Sequence, residues 1–230
     1  MEKFLRKEKE PDFLSRRLSG YITPEGAVYL TDPQKLLVKS FIDLTVSVLF
    51  VVFILSWAFP IIALIIRIDS KGPILFKQLR HGKGNKAFWC YKFRTMKTNT
   101  ESDLLQASKN DKRVTRVGRF LRKSSLDEIP QVFNVLLGDM SLIGPRPHAV
   151  PMNHVFSNEI NNYMFRHVVK PGITGLAQSR GFRGEIIDHF DIYGRVRLDH
   201  FYIKKYCLFL DLKIVFWTLS TILFKNGKAY

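Results

Sequence analysis

A long apolar stretch limits the folds open to this chain, because residues 44–66 include no charged side chain. About 20 consecutive apolar residues suffice for a helix to cross the hydrocarbon core of a bilayer. The centre of the stretch, residues 48–55, is apolar on every side, whereas a long helix of a soluble protein normally keeps a polar stripe. The stretch therefore predicts a membrane-inserted helix in preference to a buried soluble one.

Pro60 lies inside this run, lacks a backbone N–H, and so predicts a kink or break. The hydroxyl of Ser56, four residues earlier, is suited to satisfy a carbonyl that the kink frees. Cations on both flanks favour the cytoplasmic side. They are Lys35 and Lys39 before the run, and Arg67, Lys71, Lys77, Arg80, Lys83 and Lys86 after it. Charge leaves two topologies open: a re-entrant helix bent near Pro60, and a span with its N-terminus outside.

The chain is strongly basic and apolar at the same time, with a formal net charge of +16 and 46% hydrophobic residues. Nucleic-acid-binding proteins are often this basic but seldom also this apolar, so we expect no nucleic acid as a partner. The combination favours an anionic membrane surface or a phosphorylated substrate. A length of 230 residues suits one domain with an attached arm or membrane segment.

The remaining pattern predicts an α+β fold that is mainly helical. Residues 1–34 form a polar N-terminal arm with a short helix near residues 13–18, residues 35–68 the membrane helix, and residues 69–230 a domain on the cytoplasmic face. Segments 74–76 and 88–93 predict a short β-hairpin around the turn 82–85. Residues 101–143 look helical with a break at 108–113, and 186–224 form two helices. The last, 208–224, suits a membrane interface as an amphipathic helix, with Asp211 and Lys213 on one side.

Two adjacent carboxylates, Asp127 and Glu128, stand out in this basic chain. Ser125-x-x-Glu128 matches a capping box that opens a helix and ends it at Gly138, with both carboxylates at its positive end. For an isolated motif, a structural helix start is the default interpretation. Cations lie nearby in sequence: Arg119, Arg122, Lys123 and Arg146. An acidic pair among cations suits a phosphate ester handled with a divalent metal.

Two glycine-rich loops, residues 170–175 and 180–185, carry cations without Walker or dinucleotide-binding spacing. The segment 144–147, Gly-Pro-Arg-Pro, cannot form regular structure, and its two prolines fix the backbone around Arg146. These segments are candidates for phosphate contacts.

Several stretches taken together resemble the bacterial sugar transferases, which are polyprenyl-phosphate hexose-1-phosphate transferases. The similarity covers about residues 35–230 and extends to the catalytic half of the large members. The matching text is Gly72-Pro73, Phe76-x-Gln78-x-Arg80-x-Gly82, Lys92-Phe93-Arg94-Thr95-Met96, Asp111-x-Arg113, Leu126-Asp127-Glu128-Ile129-Pro130-Gln131, residues 138–147, residues 166–178 and Arg183-Gly184-Glu185. The family's Lys-Arg-x-x-Asp signature reads Lys39-Ser40-Phe41-Ile42-Asp43 here, without the usual arginine.

The resemblance implies a monotopic enzyme of the bacterial inner membrane, with a re-entrant helix and its active site on the cytoplasmic face. It would transfer a hexose-1-phosphate from a UDP-sugar to undecaprenyl phosphate, releasing UMP, as the first membrane step of exopolysaccharide, capsule or O-antigen assembly. Asp127 would be the nucleophile, and Glu128, with Asp127, would bind Mg²⁺. Arg146 would grip phosphate.

The other candidates for phosphate contact are Arg80, Lys92, Arg94 and Arg122, and those for the nucleotide sugar are Arg183 and His148. Glucose or galactose is the favoured sugar. Membrane lipids are expected partners, and a homodimer is implied by the large members. The alternative is a non-catalytic, basic, membrane-anchored binding or scaffold protein.

Overall fold

The computed structural model describes residues 32–98, 111–186 and 188–224. Most of the predicted N-terminal arm, with its helix near residues 13–18, and the segment 99–110 lie outside the described residues. The fold is α+β and mainly helical, as predicted. The helices are α1 Pro33–Phe50, α2 Ser56–Asp69, α3 Arg116–Ser124, α4 Gln131–Leu136, α5 Val150–Glu159, α6 Leu176–Ser179, α7 His189–Lys204 and α8 Leu208–Phe224. The strands are β1 Leu75–His81, β2 Ala87–Phe93, β3 Ser141–Ile143 and β4 Gly172–Thr174.

Helices α1 and α2 form one continuous helical segment, Pro33–Asp69, that is long and apolar enough to cross a bilayer by length and composition. At about 1.5 Å per residue its 37 residues extend some 55 Å, well beyond a hydrocarbon core of about 30 Å. The usual polarity is inverted along α1. Lys39, Asp43 and Ser47 are buried against the protein, whereas apolar side chains such as Phe41 and Leu49 are exposed. An apolar outer surface with a polar inner stripe is suited to lipid.

The helical segment departs from α geometry at the π-helical turn Val51–Leu55, and the helix then continues through Pro60. The irregularity predicted at Pro60 therefore lies five to nine residues earlier in the chain. Ser56 Oγ donates to the Val52 carbonyl at 2.7 Å, and the Trp57 indole donates to the Phe53 carbonyl at 2.8 Å. These side chains satisfy carbonyls where the widened turn disturbs the regular i to i−4 pattern.

Strands β1 and β2 form the predicted antiparallel hairpin around a 3₁₀ turn at Lys83–Asn85. Asn134 of α4, fully buried, attaches this hairpin to the rest of the domain. Its Oδ1 accepts from the Tyr91 backbone N–H at 3.0 Å and its Nδ2 donates to the Trp89 carbonyl at 2.7 Å. One amide side chain thus pairs with the outer edge of β2 as a neighbouring strand would.

Strands β3 and β4 form a short parallel pair that the sequence did not predict, since this part of the chain looked helical or irregular. The pairing brings the segment 144–147 against the glycine-rich loop 170–175. Gly144 N donates to the Thr174 carbonyl at 2.9 Å, and Gly172 N donates to the Pro145 carbonyl at 2.9 Å. A Cβ atom on Gly172 would lie 2.0 Å from the Gly144 nitrogen, so this approach requires glycine.

Helices α7 and α8 match the predicted C-terminal pair and enclose the main core, with Leu198, Tyr202, Ile203 and Ile214 buried. The sequence predicted Asp211 and Lys213 on one side of the last helix, but Lys213 is exposed and Asp211 is not. It is buried, and it accepts from Lys39 of α1 at 2.9 Å and from the Tyr202 hydroxyl at 2.8 Å. A charge this close to apolar surface needs a partner, and α1 supplies one.

We expect Asn134→Leu to lower the free energy of unfolding by about 1–3 kcal/mol, because backbone groups of β2 lose their partners. Asn158→Leu, at an exposed position of α5, is the matched control and should change it by no more than about 0.5 kcal/mol. Denaturation of the detergent-solubilised protein measures both. Equal effects of the two substitutions would contradict the proposed attachment of the hairpin.

Candidate active site

The acidic pair lies in a 3₁₀ turn, Leu126–Glu128, between α3 and α4. Ser125 ends α3 in the left-handed region with φ of 63°, and α4 begins only at Gln131. The predicted capping box is therefore wrong: Ser125 precedes only the short 3₁₀ turn that contains Glu128, and its side chain makes no capping hydrogen bond. Pro130 occupies the N-cap position of α4, and the Glu128 side chain turns towards buried cations instead of the backbone.

Glu128 is held by two cations from different parts of the chain. Its Oε1 accepts from Lys92 Nζ and from Arg146 Nη2, each at 2.6 Å, and its Oε2 accepts from Arg146 Nη1 at 3.1 Å. Burial alone would raise the pKa of this carboxyl, but Arg146 and Lys92 outweigh it and hold the pKa well below its ordinary value. Glu128 is thus a fixed carboxylate.

Asp127 has the opposite character, although it is the adjacent residue. It is 9% exposed, and no residue in the described part of the chain hydrogen-bonds its carboxylate. Burial, followed by the charge of Glu128, raises its pKa above the ordinary value, against the opposing effects of Lys92, Arg122 and Arg146. A carboxylate with few compensating contacts is a stronger base and nucleophile than a clamped one.

The structure brings five of the seven predicted cationic or histidine side chains around this pair. Lys92 and Arg146 contact Glu128 directly. Arg80, Arg122 and Arg183 interact electrostatically with one of the two carboxylates. These three are held by neutral partners: Arg80 by the Pro147 carbonyl at 2.6 Å, Arg122 by Thr95 Oγ1 at 2.8 Å and Arg183 by Ser125 Oγ at 2.6 Å. Five cations against two carboxylates favour an anionic ligand.

Arg94 and His148 have structural contacts instead. The Arg94 guanidinium donates to the Ser70 carbonyl at 2.6 Å and the Lys71 carbonyl at 2.8 Å, and so closes the end of α2. His148 is buried, and its Nδ1 lies 2.7 Å from Arg166 Nη1, which can only donate. Burial, together with Arg166, holds the pKa of His148 well below its ordinary value. The geometry gives neither residue an open position towards a ligand.

Sequence reasoning missed the buried ion pair between Arg166 and Asp199. Arg166 Nη2 donates to Asp199 Oδ2 at 2.7 Å and to the backbone carbonyl of Arg146 at 2.7 Å. The pair therefore fixes the backbone of the residue that clamps Glu128. A signal was present: Asp199 lies among the apolar positions Ile192, Val196 and Ile203, where a charge indicates a buried partner.

Only some of the carboxylate oxygens have acceptor sites left for a divalent cation. A carboxylate oxygen has about two acceptor sites, so Glu128 Oε1 is saturated while Oε2 keeps one site open. The Asp127 oxygens are also open. The described residues contain no cluster of three or more His, Cys, Asp or Glu side chains that would complete a metal shell. Mg²⁺ fits if a diphosphate supplies further oxygens and offsets the surrounding cations.

Fold and site together define a protein with a long apolar helix and, beside it, a pair of carboxylates surrounded by cations. The chain belongs to the bacterial sugar transferase family, whose sequence profile matches residues 34–225. The predicted family is thereby confirmed.

Three relatives illustrate the range of the family. The chain is 48% identical to a UDP-glucose:undecaprenyl-phosphate glucose-1-phosphate transferase of Klebsiella pneumoniae, over 82% of this chain and 40% of the relative. It is 49% identical to a UDP-N-acetylgalactosamine-undecaprenyl-phosphate N-acetylgalactosaminephosphotransferase of Aeromonas hydrophila, over 70% and 38%. It is 42% identical to an exopolysaccharide production protein PSS of Rhizobium leguminosarum, over 74% and 86%. The chain thus spans about two fifths of the first two relatives.

Amide substitutions of the two carboxylates should have different effects on the free energy of unfolding. Glu128→Gln leaves Lys92 and Arg146 buried without their counter-charge, and we expect the free energy of unfolding to fall by about 3–5 kcal/mol. Asp127→Asn at pH 7.5 should leave it unchanged or raise it. The folded pKa of Asp127 is raised, so the free energy of unfolding falls as the pH rises from the unfolded pKa, about 4, through the folded pKa; the difference from Asp127→Asn should vanish below about pH 4. Thermal denaturation at the two pH values measures both effects; similar losses at pH 7.5 would refute the assignment.

Proposed function

We propose that this chain transfers a hexose-1-phosphate from a UDP-sugar to undecaprenyl phosphate and releases UMP. The observation that carries the proposal is the asymmetry of the acidic pair, in which Glu128 is clamped by cations and Asp127 is open. Membership of the sugar transferase family and the names of the relatives support the reaction class. The proposed acceptor is a lipid, and the long apolar helix is suited to a lipid environment. The site is therefore suited to a lipid phosphate.

The reaction proceeds in two displacements at one phosphorus atom. The Asp127 carboxylate attacks the phosphoryl group that carries the sugar, the bond to the bridging diphosphate oxygen breaks, and UMP leaves with that oxygen. An aspartyl-phosphosugar intermediate remains. A phosphate oxygen of undecaprenyl phosphate then attacks the same phosphorus and releases Asp127 as a carboxylate. The bond between sugar and phosphate stays intact throughout.

The surrounding cations stabilise the negative charge that both displacements share. Arg146 and Lys92 hold Glu128 and would add positive charge beside the reacting phosphorus, while Arg122, Arg183 and Arg80 would contact donor or acceptor phosphates. Phosphoryl transfer depends mainly on such positioning and charge neutralisation. Asp127 and Glu128 Oε2 would hold Mg²⁺, which supplies further charge neutralisation on the diphosphate.

We further propose that the membrane helix is re-entrant and that the site faces the cytoplasm of a bacterial inner membrane. Contacts at both ends of the helix support this. Near its start Lys39 pairs with Asp211, and near its end Ile66 packs with Phe93 and Leu121 of the same domain. A helix that crossed the bilayer would carry its two ends to opposite sides.

Turnover is tested by UMP release from a panel of UDP-sugars with undecaprenyl phosphate and Mg²⁺. We expect release from UDP-glucose, UDP-galactose or an N-acetylated hexose donor, and a loss of at least about a thousandfold in Asp127→Asn. Glu159→Gln, at an exposed carboxylate of α5, is the control and should retain full activity. Near-normal turnover of Asp127→Asn would favour the non-catalytic binding or scaffold protein, or another nucleophile.

Topology is tested with single cysteines in a Cys207→Ser background, where the other native cysteine, Cys90, is buried. A re-entrant helix predicts that Glu10→Cys and Lys83→Cys both resist a membrane-impermeant maleimide in intact cells and react after lysis. Lys83 is exposed at the hairpin turn and serves as the marker of the domain's side. Labelling of Glu10→Cys in intact cells would instead demonstrate a spanning helix.

A further inference from the structure

A cavity of about 260 Å³ extends from the carboxylate turn to the membrane helix. Its exposed lining is almost entirely apolar. The apolar side chains that line it are Val46, Phe50, Ile129, Val132, Leu142 and Ile173. Helices α1, α4, α6 and α8 and strand β4 all contribute to the wall.

Most hydroxyl groups of the wall are hydrogen-bonded within the protein, and Gln178 keeps one oxygen, Oε1, without a partner among the described residues. Thr174 and Thr218 bond each other through their hydroxyls at 2.8 Å. The hydroxyls of Thr221 and Ser179 donate to backbone carbonyls of their own helices, at 2.7 Å and 2.9 Å. A hexose needs partners for several hydroxyls, since unpaired polar groups are costly in such a place. The wall therefore suits a hydrocarbon better than a sugar.

One end of the cavity is charged. Glu128 and Arg183 line it beside the turn that contains Asp127, and Ser125 accepts one hydrogen bond from Arg183. A guanidinium has five N–H donors in a fork that matches a phosphate. This end can hold an anionic headgroup next to the proposed nucleophile.

The other end is bordered by helices whose outer surfaces are apolar and exposed. Val46 is 46% exposed on α1, with Val48 and Leu49 exposed beside it. On α8, Thr218 and Thr221 line the cavity, while Phe216 and Leu219 are exposed. A ligand reaching the cavity between these helices would pass from lipid to the carboxylate turn without crossing water.

We propose that this cavity binds the isoprenoid segment next to the phosphate of the lipid acceptor, with that phosphate at Arg183. The proposal rests on the proposed function and assigns the acceptor half of its site. A cavity of about 150 Å³ admits one benzene ring, so this cavity has room for roughly two isoprene units. The donor diphosphate would then occupy the side of the pair nearer Arg122.

The test fills the cavity from the membrane helix. Val46→Trp places a large ring in the wall, and Val48→Trp places the same ring on the neighbouring exposed surface as the matched control. Thr221→Phe fills the cavity from α8. We expect both cavity variants to raise KM for undecaprenyl phosphate at least about tenfold, given the apolar area involved, and the control to leave it unchanged.

A measurement without the lipid acceptor distinguishes effects on acceptor binding from effects on donor binding. Exchange of labelled UMP into the UDP-sugar needs no acceptor, so it should proceed at the wild-type rate in all three variants and also report correct folding. Wild-type protein should use a ten-carbon prenyl phosphate better than a five-carbon one, and the cavity variants should lose this difference.

The proposal is overturned if both cavity variants keep the wild-type KM for the acceptor. It is also overturned if they raise KM for the UDP-sugar in the exchange reaction, which would assign the cavity to the donor. Absence of exchange in the wild-type protein would contradict the covalent step of the proposed function, while the comparison of acceptor KM values would still decide the occupant of the cavity.

Discussion

The ion pairs between Glu128 and the cations Arg146 and Lys92 are the interaction on which the site depends. Two adjacent buried carboxylates repel each other, so a fold that holds both must stabilise at least one of them. Here the cations are bonded to Glu128, which becomes a fixed part of the framework. Asp127 lies in the same electrostatic field without their hydrogen bonds. The two neighbouring carboxylates thereby differ: one is held by cations, and the other has no hydrogen-bond partner among the described residues.

Longer-range contacts hold this clamp in place. Arg166, paired with Asp199, bonds the backbone carbonyl of Arg146. Asn134 bonds two backbone groups on the outer edge of the strand that carries Lys92, and therefore fixes the second cation against the helix that follows the acidic turn. The polar inner stripe of α1 joins the same domain through Lys39 and Asp211. The acidic turn is thus tied to both the core and the long apolar helix.

Local patterns predicted much of this from the sequence. The apolar run, the hairpin around residues 82–85 and the two C-terminal helices were predicted because each depends on neighbours in the chain. The acidic pair among cations was also found. The Ser125 cap was wrong because distant cations, not the local backbone, decide where the Glu128 side chain lies. The β3–β4 pair and the contact of Arg166 with Asp199 join segments 30 or so residues apart, which no local pattern encodes.

The central claim is that Asp127, and not Glu128, is the reactive member of the pair. Peptide-resolved mass spectrometry of the protein, incubated with a UDP-sugar and Mg²⁺ without lipid acceptor and quenched in acid, tests it most directly. The account predicts a hexose-phosphate adduct on Asp127 that disappears when undecaprenyl phosphate is added before the quench. An adduct on Glu128, or full UMP release with no adduct on Asp127, would contradict it.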